Sequence, residues 1–214
     1  MQVNEKKTQM LCINSCVHNR ATYFISTTDG EINSSNELKI LSFVFDSRPN
    51  ANKHVDQLIE KFYQKLWTVR FLRRSGIKQD DLLALYNCSV RAAVEYCSVV
   101  YHSMIPAYLS NKLEAIQRQA LKIKYGWETN IEELMKIKGI ETLYERREKA
   151  VIHFALKNEH VGKYGKKWFK EEELPQRMLR ESKNKYKIPV GRTNRTTANP
   201  ITHMAIKLNE YYDV

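Results

Sequence analysis

Val-Asp-Gln-Leu-Ile-Glu-Lys-Phe-Tyr-Gln-Lys-Leu-Trp-Thr-Val, residues 55–69, is the stretch whose reading decides the fold. Val55, Leu58, Ile59, Phe62, Leu66 and Val69 step by three and four, which places them on one side of a helix and points that side at a core. Lys61, Lys65 and Thr68 form a separate stripe, and Arg70, Arg73 and Arg74 follow near the end, where cations suit the helix dipole. Gly76 fits the position after a helix C-terminus, so the spacing predicts a helix over 52–74.

Two more helices are expected next. In 79–104, Asp80 and Asp81 occupy the first turn, and Leu82, Leu83, Tyr86, Val90, Val94, Cys97 and Val100 make a broad apolar face closed by Pro106. In 108–125, Leu109, Leu113, Ile116, Ala120 and Ile123 face inward, while Lys112, Arg118, Gln119 and Lys122 face largely outward. Shorter helices are expected over 130–138 and 141–160, separated by Gly139. Upstream, residues 7–17, Ala21–Thr27 and Leu38–Phe45 read as strands, the last apolar enough to be buried on both faces, with a turn at Asp29-Gly30. From Gly162 the chain turns polar and basic, and a loosely ordered tail is expected up to the apolar end Ile201–Tyr212. The fold class is therefore α+β and mostly helical, a small antiparallel sheet of about three strands followed by a helical bundle and a basic tail.

The 214 residues carry a net charge of +11, which favours a polyanionic partner. The excess is not uniform. Residues 52–126 hold twelve basic side chains against six acidic, and residues 174–214 hold eight against three, whereas 1–51 and 127–173 are balanced. A solvated lysine surface is the other reading of the same residues. The hydrophobic share of 43% argues against overall disorder. Cys12, Cys16, Cys88 and Cys97 lack zinc-ribbon spacing and read as free buried thiols of a reducing, intracellular compartment, nucleus or cytoplasm. No apolar leader and no run of about 18 apolar residues is present, so no membrane partner is expected.

Catalytic signatures are missing. The sequence has no phosphate-binding glycine loop, no nucleophile elbow and no His-Glu-x-x-His zinc motif. Its six histidines are scattered singly and read as surface or helix-end residues. Two-metal chemistry needs carboxylates that hold ions about 4 Å apart, and Asp80-Asp81, the only adjacent aspartates, are explained by their place at a helix start. No metal ligand is expected. Lys61, Lys65, Lys112, Arg118 and Lys122 are the candidate phosphate contacts.

Several stretches resemble the end of the reverse transcriptase of a jockey-like non-LTR retrotransposon. Asn4, Lys7 and Thr8 are similar to that family's Asn-x-x-Lys-Thr segment. Leu38–Asp46 resembles its primer-grip hairpin, with Leu41, Ser42 and Phe43 at the grip and Ser42 where the family has glycine. Leu82–Tyr101, Leu113–Lys122 and Gly139–Arg147 resemble three later helical motifs, in the family's order, and Asn199-Pro-Ile-Thr-His-Met resembles the usual close of its polyproteins.

The resemblance implies palm-end strands over 1–51, a three-helix thumb over 52–126, post-thumb helices over 127–173 and a basic tail over 174–214. It implies a thumb that grips the backbone of an RNA–DNA or DNA duplex, and a Lys7 that stabilises the pyrophosphate leaving group. The family's catalytic aspartates and their Mg2+ belong to segments upstream of those matched, so the expectation is a fragment without cofactor or polymerase activity of its own. The competing expectations are a helical protein-interaction module, self-associating through an exposed 38–45, and a non-functional remnant. Composition leaves the oligomeric state open.

Overall fold

The protein is described by a computed structural model, in which residues 8–13, 23–27, 30–48, 50–161, 165, 167–170, 184–189 and 194–213 are described. Five short strands precede the helices: β1 (Met10–Leu11), β2 (Phe24–Ser26), β3 (Glu31–Ser35), β4 (Glu37–Ile40) and β5 (Phe43–Asp46). The helices are α1 (Asn52–Arg74), α2 (Gln79–Leu85), which runs on through a π-helical stretch Tyr86–Arg91 into α3 (Ala92–Glu95), then α4 (Ser98–Tyr101), α5 (Ala107–Tyr125), α6 (Ile131–Lys138), α7 (Leu143–Asn158), α8 (Asn194–Thr197) and α9 (Pro200–Tyr212). The chain is mostly helical with a small sheet component, the expected class.

The helices begin and end where local chemistry says they should. Ala51–Arg74 buries His54, Val55, Leu58, Phe62, Leu66 and Val69 and ends before Gly76, whose φ of +81° costs an L side chain but not glycine. Asn130 accepts a hydrogen bond from the Glu132 N–H to cap α6. Thr142 and Glu145 form a capping box at α7. Asn199 caps α9, and Pro200, with no N–H to satisfy, takes its first position.

Three departures have physical causes. The helix expected over 79–104 breaks at Tyr96 (ψ 129°) and Cys97, which sits in the left-handed region at φ +54°. The break leaves the Val94 carbonyl at a helix end, where the Tyr101 hydroxyl donates to it. The run Leu38–Phe45 is not one strand but a hairpin, β4 antiparallel to β5, turning at Leu41-Ser42 with φ of +47° and +70°. Two successive positive φ values make a two-residue turn whose twist matches the strands, so Ser42 takes the conformation that glycine would adopt more easily. Ser42→Gly is therefore expected to stabilise the fold by about 0.5–1 kcal/mol, read from the urea midpoint; a lower midpoint would contradict this account of the turn. Finally, the sheet is mixed rather than purely antiparallel. β3, which the sequence reading did not mark, lies between β1 (parallel) and β2 (antiparallel), and β1 is only two residues of the strand expected over 7–17.

The main core joins hairpin and bundle. Phe43 of β5 shares one core cluster with Val55, Phe62 and Leu66 of α1, with Leu82 and Val90, and with Leu113 and Ile116 of α5. A second core lies between α7 and the C-terminal helix: Val151, Ala155, Phe169, Tyr186, Met204, Ala205 and Leu208. The C-terminal end of the expected loose tail is thus packed structure. The apolar side of α9 contributes Met204, Ala205 and Leu208 to this core, while 171–183 and 190–193 lie outside the described residues.

Cys12, Cys88 and Cys97 are free, but Cys88 is exposed and the other two are half-buried, so they are not the buried thiols expected; Cys16 lies outside the described residues. Among the described residues no helix is long and apolar enough to cross a membrane.

Candidate nucleic-acid interface

The five candidate cations do not form one surface. Lys61 is exposed on α1. Lys65, four residues on, is half-buried, and its ammonium donates to the Ser89 carbonyl at 2.5 Å. That carbonyl belongs to the π-helical stretch, so Lys65 supports the fold of the next helix instead of facing a ligand. On α5, the Lys112 ammonium lies 5.7 Å from the centre of the Tyr108 ring and is exposed, and Lys122 is half-buried. Arg118 lines a cleft of about 510 Å3 between α5, α6 and α7, together with Glu114, Glu132, Glu141 and Glu145. Those carboxylates make the surroundings of Arg118 unfavourable for a phosphate. Three of them are also at work locally: Glu114 accepts from the Leu143 and Tyr144 N–H groups, Glu145 from the Thr142 N–H, and Glu141 pairs with Arg146 and Lys149. Lys7 lies outside the described residues.

Leu41, Ser42 and Phe43 are at the hairpin tip and separate sharply. Leu41 is 80% exposed and Phe43 is 4% exposed, so the hairpin turns only its tip outward. Within 38–45, Phe43 and Val44 are buried, whereas Ile40 is 48% and Leu41 80% exposed.

A different cluster stands on the solvent face of α1. Tyr63, Trp67 and Phe71 step by four, and Arg70 and Arg74 follow Trp67 and Phe71 by three, which places all five on one helix face. Tyr63, Trp67 and Phe71 are 52%, 66% and 54% exposed. The Trp67 and Phe71 rings are nearly parallel, 12° apart in plane, with centroids at 5.7 Å. The Arg70 guanidinium lies 5.9 Å from the centre of the Trp127 ring, itself exposed at the end of α5. Arg73, on the inner side, donates to the Lys122 and Ile123 carbonyls and fixes the end of α1 against the end of α5. Among the described residues, Lys61, Arg70, Arg74, Lys78 and Lys112 form no ion pair. The positive charge at the α1 C-terminal end is therefore uncompensated, whereas Lys124, just behind it, is nine-tenths buried and paired with Asp80 at 3.7 Å. The face is not basic throughout, since Asp56 and Glu60 occupy its N-terminal half.

Two of the histidines depart from the surface assignment, while His153 and His160 are exposed as expected. His54 and His102 are 3% and 6% exposed, and His102 meets His203 ring to ring at 5.6 Å. His54 Nδ1 accepts from the Val44 N–H at 3.4 Å, which requires the neutral ring. Burial, and then the Lys61 ammonium, pushes the His54 pKa down to about 4. Burial, followed by Arg147 and His203, does the same for His102, also to about 4. Among the described residues no group of three His, Cys, Asp or Glu side chains is placed to hold a metal ion, and Asp80, fully exposed in the first turn of α2, sits as a helix-start residue should.

No family model matches the chain, and neither a known curated protein nor a solved structure does.

Proposed function

We propose that this chain holds nucleic acid by its backbone, as the thumb of a non-LTR retrotransposon reverse transcriptase does, and performs no nucleotidyl transfer by itself. The observation that carries the reading is the set of exposed cations Arg70 and Arg74 at the C-terminal end of α1, with Lys78 following in sequence, none of them in an ion pair among the described residues, in a chain of net charge +11. The order of a tight hairpin followed by a helical bundle, with the hairpin packed on α1, agrees with the motif order on which the resemblance rests. Phosphate contacts by such cations release counterions, so binding falls steeply with salt and tolerates any sequence.

Arg70→Glu with Arg74→Glu is expected to weaken binding of a short RNA–DNA hybrid and to flatten the slope of log affinity against log salt by about two, one per lost contact. Fluorescence anisotropy between about 50 and 200 mM salt measures both. A folded double variant with unchanged affinity and slope would refute the reading. Lys65→Glu is a poor probe, because it places a carboxylate against the Ser89 carbonyl and perturbs the fold.

A further inference from the structure

The C-terminal half of the α1 outer face joins rings and cations in a way that backbone holding alone does not use. Trp67 and Phe71 expose more than half of their surface, their rings nearly parallel, and Trp127 adds a third exposed ring held against Arg70. Large aromatic side chains are costly to leave in water, and three together mark a contact surface. The flanking charges indicate its occupant. Arg70, Arg74 and Lys78 are positive and unpaired among the described residues, which suits a polyanion and disfavours a basic or neutral partner. Asp56 and Glu60 repel phosphates from the other half, so the footprint is confined to the end of α1 and the start of the α5–α6 connection.

We propose that Trp67, Phe71 and Trp127 form a stacking platform for unpaired bases, and that the nucleic acid taken by this face is single-stranded. The proposal rests on the reading of α1 as a nucleic-acid face and narrows it. In a duplex each base face is covered by its neighbours, so exposed rings gain little from it; a single strand offers the face of every base while its phosphates reach Arg70, Arg74 and Lys78. Stacking is indifferent to base identity, so the platform is tolerant of sequence. The near-parallel Trp67 and Phe71 rings are already in contact with each other, so a base adds to the pair from outside.

The test compares a fluorescein-labelled single-stranded oligonucleotide of about 15 nucleotides with a duplex of the same sequence, by anisotropy at one salt concentration. Wild type should bind the single strand more tightly. Trp67→Ala and Phe71→Ala should each weaken single-strand binding about tenfold or more and change duplex binding far less. Trp67→Phe should keep most of the affinity and reduce the quenching of tryptophan fluorescence on binding. Both positions are exposed, and circular dichroism of each variant checks the fold. Equal binding of both probes, unaffected by the ring substitutions, overturns the platform and leaves backbone holding intact. A folded wild type that binds neither probe overturns both. A dimer in sedimentation that Trp67→Ala dissolves, without effect on nucleic acid, makes the face a contact between two copies and also overturns the platform.

Discussion

Acidification from pH 7 to about 4 should remove a large part of the stability of the helical core, with the loss beginning below pH 6.5, before the carboxylates titrate. His54 and His102 are neutral in the folded chain, with pKa values pushed from 6.5 down to about 4. A base whose folded pKa is depressed stabilises the fold fully above its unfolded pKa. That contribution shrinks as pH falls through 6.5 and is gone near 4, because the unfolded chain takes up the proton first. Each shift corresponds to about 3 kcal/mol, so the two together reach about 6 kcal/mol, a large part of the stability of a domain this size. His203, lowered first by burial and then by Lys207, acts in the same direction. The Lys61 ammonium disfavours a proton on His54; at His102 Arg147 does the same and Glu148 opposes it, with burial the largest cause at both. The measurement is a pH titration by far-UV circular dichroism. His102→Phe keeps the ring contact with Tyr144 at 5.0 Å and removes one titrating group, so it should move the transition to lower pH. An unchanged midpoint in that variant would remove His102 from the explanation.

Glu159→Ala should release the C-terminal helix from the rest of the molecule. The Glu159 side chain is 2% exposed and accepts from three donors: the Lys185 ammonium at 2.8 Å, the Tyr212 hydroxyl at 2.7 Å and the Tyr186 hydroxyl. Burial pushes the carboxyl pKa up, but the bonds from Lys185 and Tyr212 outweigh it and hold the group below its ordinary value. Its stabilisation is therefore present at neutral pH and lost only in acid, below the carboxylate range. Lys185 also stacks on the Tyr186 and Tyr212 rings, so one carboxylate gathers the end of α7, the 184–189 segment and the end of α9. Removing it strands two buried or half-buried donors at a cost of about 3 kcal/mol or more. Limited proteolysis should then cut within 184–212 while 52–125 stays protected. Equal protection of α9 in variant and wild type would show that the apolar contacts of Met204, Ala205 and Leu208 suffice.

What was legible in the sequence was what depends on neighbours three or four residues away. Residues 52–74 and 108–125 could be read to within a residue, because their apolar stripes are uninterrupted and Gly76 and Gly126 stop them. The break at Tyr96-Cys97 was not legible. Nothing in the local pattern disfavours helix there, and the break is accompanied by contacts outside the helical period: the Tyr101 hydroxyl on the Val94 carbonyl, seven residues back, and the Tyr96 hydroxyl on the Leu41 carbonyl, 55 residues away. The turn at Leu41-Ser42 left no mark in the periodicity, since neither residue is a usual carrier of positive φ; only the resemblance of Leu38–Asp46 to a hairpin pointed to it. Parallel pairing of β1 with β3 joins residues 24 apart and leaves no periodic trace. In the candidate site, charge alone misled. Lys65 satisfies a backbone carbonyl and Arg118 stands among glutamates, whereas the four-residue steps Tyr63, Trp67 and Phe71 lay off the apolar face and were readable as a second stripe. The histidines looked solitary because their partners are on other helices.

The β4–β5 hairpin is fastened at both ends. At its base Lys53 bridges Glu37 and Asp46, at 2.7 and 3.5 Å; in the middle the Val44 N–H meets His54; at the tip the Tyr96 hydroxyl holds the Leu41 carbonyl at 2.7 Å. Strand pairs tied at one end swing, but a pair tied at three points to two helices has no free pivot. The projecting loop at Leu41 is therefore a fixed probe whose position is set by the bundle, and a pull on it is delivered to α1 and α3 together. Any change that tilts those helices moves the tip with them, so the hairpin and the helices open and close as one cooperative unit, while the exposed outer strand β2 is free to fray on its own.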